Sequence, residues 1–137
     1  MRRAVLIVVI ASGCVAHVTG NLQIDGTPFV VAQCRSGQRF GFVGVELADR
    51  DGRRVRLDIT GQEQLHWYAT PPHRGEAVMS VTEPGQDEWK VVGACGPMNA
   101  EDGGGKGMMK RVEGEALLSC ESKEHRISGT VQFGNCY

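Results

Sequence analysis

The sequence predicts an all-β fold, a small antiparallel sandwich or barrel. Three observations carry that expectation. Short runs rich in Val, Ile, Leu and Thr alternate with polar residues, as half-buried strands do. Clusters of Gly, Asp, Asn and Pro punctuate these runs, and the 137 residues hold 19 glycines but only 6% aromatics, a composition that favours many tight turns. No segment sustains an apolar stripe at helical spacing.

Taken in order, the first strands are expected at Leu22 to Ile24 and Phe29 to Cys34. The clearest hairpin sets Phe42 to Leu47 against Arg54 to Ile59. In its second strand Val55, Leu57 and Ile59 share one face and Arg54, Arg56 and Asp58 the other, which puts one face on a core and one in water. Asp51-Gly52 is a strong two-residue hairpin signal. Arg50, Arg53, Arg54 and Arg56, interleaved with Asp49, Asp51 and Asp58, read as a solvated hairpin tip. Further strands are expected at Leu65 to Tyr68, Ala77 to Val81 and Trp89 to Cys95. A last hairpin runs from Ala116–Cys120 through Ser122-Lys123-Glu124 into Arg126–Phe133. Pro71 to Gly75 and Gly96 to Gly107 read as connections, the second being the longest irregular segment. In a chain this poor in aromatics, Trp67, Tyr68 and Trp89 are expected in the core, although alternation points Trp67 and Tyr68 to opposite faces.

The N-terminus reads Met1-Arg2-Arg3, then an apolar run from Ala4 to Ile10, then Ala11-Ser12-Gly13-Cys14. A charged start, an apolar stretch of roughly 7–15 residues and small residues at a cleavage point form a secretory signal. The run is far short of the roughly 20 apolar residues that cross a bilayer. With a cysteine directly after the small residues, the leader resembles the signal and lipobox of a bacterial lipoprotein, with Ala11 where Leu is usual. The resemblance implies a signal peptide over residues 1–13, a lipidated tether over 14–20 and a single β domain over 21–137. Cys14 would carry a diacylglyceryl group, usually with a third acyl chain on its amine, and more than one chain makes such anchoring stable. Val15, in place of a retaining Asp, favours an outer membrane within the bacterial cell envelope. Two other readings stay open: an ordinary signal cleavage that leaves Cys14 as a free thiol or removes it, and an N-terminal strand of a cytoplasmic protein.

Of the five cysteines, setting Cys14 aside leaves Cys34, Cys95, Cys120 and Cys136. An even set in an exported chain implies two disulfides, with three connectivities open. None of the four forms a Cys-x-x-Cys pair, which argues against a redox motif or a zinc knuckle. Ile24-Asp25-Gly26, Val30-Val31-Ala32-Gln33-Cys34, Ile127-Ser128-Gly129-Thr130 and the terminal Cys136 resemble the mycobacterial lipoprotein antigen family over about a third of the chain. That resemblance implies a bridge between Cys34 and Cys136, leaving Cys95 with Cys120. Hairpin geometry agrees, because Cys120 sits beside the final turn and Cys136 beyond the last strand, whereas bridged Cα atoms lie within about 7 Å.

Charge and motifs exclude several functions. Without Arg2 and Arg3 the 15 basic residues fall to 13 against 16 acidic ones, a net charge of −3, which lacks the basic footprint of nucleic-acid binding. Gly103 to Gly107 includes Lys106, but no Ser or Thr follows to hold magnesium as in a phosphate loop. No histidine pair has finger or helical metal spacing; His66 and His73, with Glu63 and Glu76, are the nearest approach to a zinc or copper set. Met98, Met108 and Met109 read as packing rather than copper ligands. There is no Gly-x-Ser-x-Gly elbow, and Asp87-Glu88 reads as a solvated turn. The expectation is a non-catalytic binding or envelope-structural role with no metal or cofactor. The bilayer is one partner, and an envelope protein or ligand would meet loops 96–107 and 71–75. The alternatives are a periplasmic inhibitor or chaperone-like binding module, and a small hydrolase with a dispersed site.

Overall fold

The computed structural model describes residues 16–59, 73–102 and 111–137. Cys14 and the strand expected at Leu65 to Tyr68 lie outside them. Among the described residues the regular elements are ten strands and one 3-10 turn. The strands are β1 (His17–Gly20), β2 (Gln23–Ile24), β3 (Thr27–Pro28), β4 (Gln33–Ser36), β5 (Gly44–Ala48), β6 (Arg54–Ile59), β7 (His73–Thr82), β8 (Lys90–Asp102), β9 (Val112–Glu121) and β10 (Arg126–Cys136), with the 3-10 turn at Gly37–Phe40. They form one antiparallel sheet in the order β3-β2-β10-β9-β8-β7-β6-β5-β4, with β1 also on β10, curled into a half-barrel.

From β4 to β10 the sheet is a meander in which each strand pairs with the next. The chain's beginning returns to the last strand: β1 lies along Val131–Gly134 and β2 along Ile127–Ser128. Asn21 spans the break between them. Its backbone N–H donates to Thr130 O at 3.0 Å, and its Oδ1 accepts from Thr130 N at 2.8 Å and Thr130 Oγ1 at 3.0 Å. His17–Gly20, read from sequence as tether, is therefore part of the sheet. The strand expected at Phe29–Cys34 is displaced: β3 ends at Pro28, Phe29 N–H bonds Leu22 O, and β4 starts only at Gln33.

Alternation builds the core as expected. Val45 and Leu47 on β5, Val55, Leu57 and Ile59 on β6, and Ala77, Met79 and Val81 on β7 are all buried. Burying such apolar side chains contributes about 1.5–3 kcal/mol for each large one.

Two expected loops are largely strand. β7 already begins at His73, and β8 continues through Gly96 to Asp102. The reason is a pair of β-bulges. Glu76 and Val78 face Pro97 and Ala94, while Met79 and Ser80 face Gly93 and Val91, so β8 gains an extra residue at each place. Its buried positions Val92, Cys95 and Met98 thus fall three apart before Met98 and Ala100 resume strand spacing. That spacing hides the strand, and Gly96-Pro97 imitates turn chemistry. Gly96 has φ +126°, and a Cβ there would come within 2.4 Å of the Leu117 carbonyl oxygen, so the bulge requires glycine.

The four cysteines of the described residues form the pairs that the family resemblance implied. Cys34–Cys136 has its Cα atoms 5.1 Å apart, and Cys95–Cys120 4.7 Å. The second bridge ties neighbours β8 and β9. The first ties β4, which among the described residues pairs only with β5, to β10 near the other limit of the hydrogen-bonded path. Closing longer loops removes more entropy from the unfolded chain, so the separation of 102 residues corresponds to about 4.7 kcal/mol and that of 25 to about 3.5 kcal/mol. In urea unfolding, Cys34→Ala/Cys136→Ala is expected to lose about 4–5 kcal/mol and Cys95→Ala/Cys120→Ala about 3–4 kcal/mol. The reverse ranking would show that the long bridge does not govern closure.

Candidate functional site

In an antiparallel meander, alternate connections share an end. The β2–β3, β5–β6, β7–β8 and β9–β10 turns all lie at one end of the half-barrel. The start of β1, the 3-10 turn and the end of β10 lie at the other. With the start of β1 as reference, the four-turn end is the distal one.

Ion pairs and hydrogen bonds join the distal turns around His125. Its Nδ1 is 2.9 Å from Asp25 Oδ2 in the β2–β3 turn, and its Nε2 is 3.5 Å from Glu83 Oε1 after β7. The ring is 11% exposed. Arg53, leading into β6, donates from Nε and Nη2 to Glu83 at 3.0 and 3.2 Å. Asp49 Oδ1 accepts from the backbone N–H of both Asp51 and Arg53 at 2.9 Å, an Asx-type turn that fixes the Arg53 position. Ser122 Oγ accepts from the N–H of Glu124 and His125, which sets the β9–β10 turn. The other Asp25 oxygen accepts from Arg126 N–H at 2.8 Å. The His125 hydrogen bond and this backbone N–H hold the Asp25 carboxyl below its ordinary range. On the exposed edge Lys90 pairs with Glu124 at 3.1 Å, which raises the lysine above its usual value.

Beside this network lies an open depression of about 280 Å³, lined by Thr27, Phe29, Asp49, Asp51, Arg53 and Glu83. Both His125 nitrogens face carboxylates, so the ring presents no uncommitted nitrogen for proton transfer to a ligand. No serine or cysteine lines the depression. Among the described residues no group of three His, Cys, Asp or Glu side chains is placed to hold a metal ion.

A second cluster covers the outer face of β5 and β6. Glu46, only 2% exposed, is 3.2 Å from Arg56 Nε and 3.7 Å from Arg54 Nη1. The Arg56 guanidinium lies 4.1 Å from the Trp89 ring centroid, 4.6 Å from Phe40 and 5.3 Å from Phe42, and Arg54 lies 5.2 Å from Trp89. Buried Thr82 donates to the carbonyls of Gln86 and Glu88, bringing the β7–β8 connection, and hence Trp89, over the arginines. Trp89 is thus a lid on an ion pair and not the core residue that was expected. Arg54 and Arg56 are half-buried rather than part of a solvated tip. The legible signal was register: Glu46 pairs directly with Arg56 across the hairpin.

The described parts of the two expected binding loops, as strands, line an open depression of about 600 Å³, with Arg74, Pro97, Asn99, Glu115, Leu117 and Gln132 around it. His73 and Met98 are buried. His66, Met108, Met109, Trp67 and Tyr68 lie outside the described residues, as does the glycine run with Lys106. Compared with known protein families, curated proteins and solved structures, the chain matches none.

The lowered Asp25 titration has a defined sign. Its ionised form contributes stability above the unfolded-state value near 3.8, and that contribution is lost as pH falls through the lower folded-state value. Asp25→Asn should therefore unfold at a lower temperature than the parent near neutral pH, with the gap narrowing as pH falls below 3.8. Thermal melts of both chains across that range check it. A gap that stays constant into acid would show that the carboxylate charge is not what ties the turns.

Proposed function

We propose that this chain is an exported lipoprotein, anchored at Cys14 in a bacterial envelope membrane, with a non-catalytic binding or envelope-structural role. The observation that carries the reading is cysteine pairing. All four cysteines after Cys14 are spent in two disulfides, which leaves as the odd one the residue that closes the leader. Disulfides persist in oxidising compartments, in keeping with export. Val15 favours an outer-membrane destination.

A binding role is supported by the distal turns. Four connections converge there, are cross-tied by charge, and border a shallow open depression, an arrangement suited to meeting a partner surface more than to enclosing a small substrate. Expression with a labelled fatty acid tests the anchor. The parent should take up label and move with membranes, and Cys14→Ser should lose both. Equal labelling of the two chains would reject the lipoprotein reading.

A further inference from the structure

We propose that the outer face of β7 to β10 binds a linear chain of uncharged sugars, along a row of polar side chains formed by Arg74, Asn99, Glu115, Gln132 and Thr19. The proposal rests on the binding role above, to which it adds a ligand class and a surface apart from the distal turns. It is independent of the acylation of Cys14.

Register builds the row. Arg74 on β7 pairs with Asn99 on β8, Asn99 with Glu115 on β9, Glu115 with Gln132 on β10, and Gln132 with Thr19 on β1. Side chains alternate along a strand, and the neighbouring Ala100, Ala116, Val131 and Phe133 are buried in the core. The five polar side chains therefore share the outer face. Neighbouring strands lie about 4.8 Å apart, so the row crosses about 19 Å of sheet. The open depression of about 600 Å³ covers its course from Arg74 to Gln132.

Two contacts hold the row in line. Asn99 Nδ2 donates to Glu115 Oε1 at 3.3 Å, and Thr19 Oγ1 donates to Gln132 Oε1 at 3.4 Å. The Asn99 carbonyl, the second Glu115 oxygen, the Gln132 amide N–H groups and the Arg74 guanidinium are left for a ligand. The backbone is not, because β8, β9 and β10 each have paired strands on both sides. Recognition falls to side chains, which sets aside an added peptide strand.

The side-chain chemistry matches a sugar. Amide and hydroxyl side chains both donate and accept, as sugar hydroxyls do. Beside the polar row stand apolar side chains: Leu117 on β9 is 58% exposed, and Pro97 on β8 is exposed too. The C–H faces of sugar rings gain by covering such groups. Charge disfavours an anionic polymer. Arg74 and Glu115 offset each other, while Glu76, Glu101 and Glu113 add exposed carboxylates to the same face. An uncharged chain is not repelled by them.

The test is calorimetric titration of chitotetraose, the uncharged tetramer of N-acetylglucosamine, into the full chain carrying Cys14→Ser. The parent should bind, and high salt should not alter its affinity. Each neutral hydrogen bond contributes about fivefold in affinity. Asn99→Ala/Gln132→Ala, two strands apart and so close to additive, should therefore bind about 25-fold less tightly. Ser119→Ala, on the outer face of β9 beyond Leu117, should bind as the parent does. Mass analysis of the two disulfides verifies that each variant is folded. No heat from the parent at millimolar sugar would overturn the proposal, as would equal affinity of parent and double variant, or an equal drop with Ser119→Ala. The deacetylated, cationic tetramer is the last arm. If it bound more tightly than chitotetraose and lost that advantage in high salt, the face would be an acidic patch and not a sugar site. Acyl labelling of the parent is read separately, so failure of the anchor and failure of the sugar site give different results.

Discussion

β4 pairs only with β5 among the described residues, and the sheet's other limit lies on the far flank of β10. Backbone hydrogen bonding runs along this path without returning to its start, so a covalent bond does what a ladder does in a closed barrel. Cys34 and Cys136, both buried, hold β4 against the end of β10. A sheet of this many strands has right-handed twist to curl it, but twist alone leaves its limits apart. The bridge sets how far the curl goes. With that fixed, the alternating apolar rows of β5, β6 and β7 face β9 and β10 across one core.

The curl also sorts the connections. A meander places its odd and even turns at opposite ends, and here the ends differ in chemistry. At the distal end, turns from four parts of the sequence are tied through His125, Asp25, Glu83 and Arg53. These groups are charged or polar and partly solvated, so each pair contributes little alone. Their value is geometric, because they fix loops that otherwise belong to separate hairpins. On the outer face of β5 and β6 the contacts are aromatic and guanidinium, Arg56 lying between Phe40 and Trp89, and at the end of β10 Arg111 lies over the Tyr137 ring.

Much of this was legible in the residues. The β5–β6 hairpin followed from strict alternation in Arg54–Ile59 and the Asp51-Gly52 turn, and β9–β10 from a similar pattern. The cysteine pairs followed from family resemblance, together with the hairpin argument against Cys120–Cys136. What was hidden had physical causes. Bulges near Gly93 and Gly96 replaced a spacing of two by one of three, so half of β8 resembled a loop. β1 was short, polar and adjacent to the leader, and only its distant partner β10 makes it a strand. The distal network joins residues a hundred positions apart, Asp25 with His125, and nothing local in either turn announces the other. Trp89 looked like core because it is large and apolar, whereas its place was decided by guanidinium groups on the outer face.

Closure by Cys34–Cys136, with Cys14 left outside every bridge, is tested most directly by non-reducing peptide mapping of the purified chain. Linked peptides joining Cys34 to Cys136 and Cys95 to Cys120, and none containing Cys14, are the predicted result. A linked Cys120–Cys136 peptide would contradict the closure of the sheet, and a disulfide to Cys14 would contradict the anchoring proposed for it.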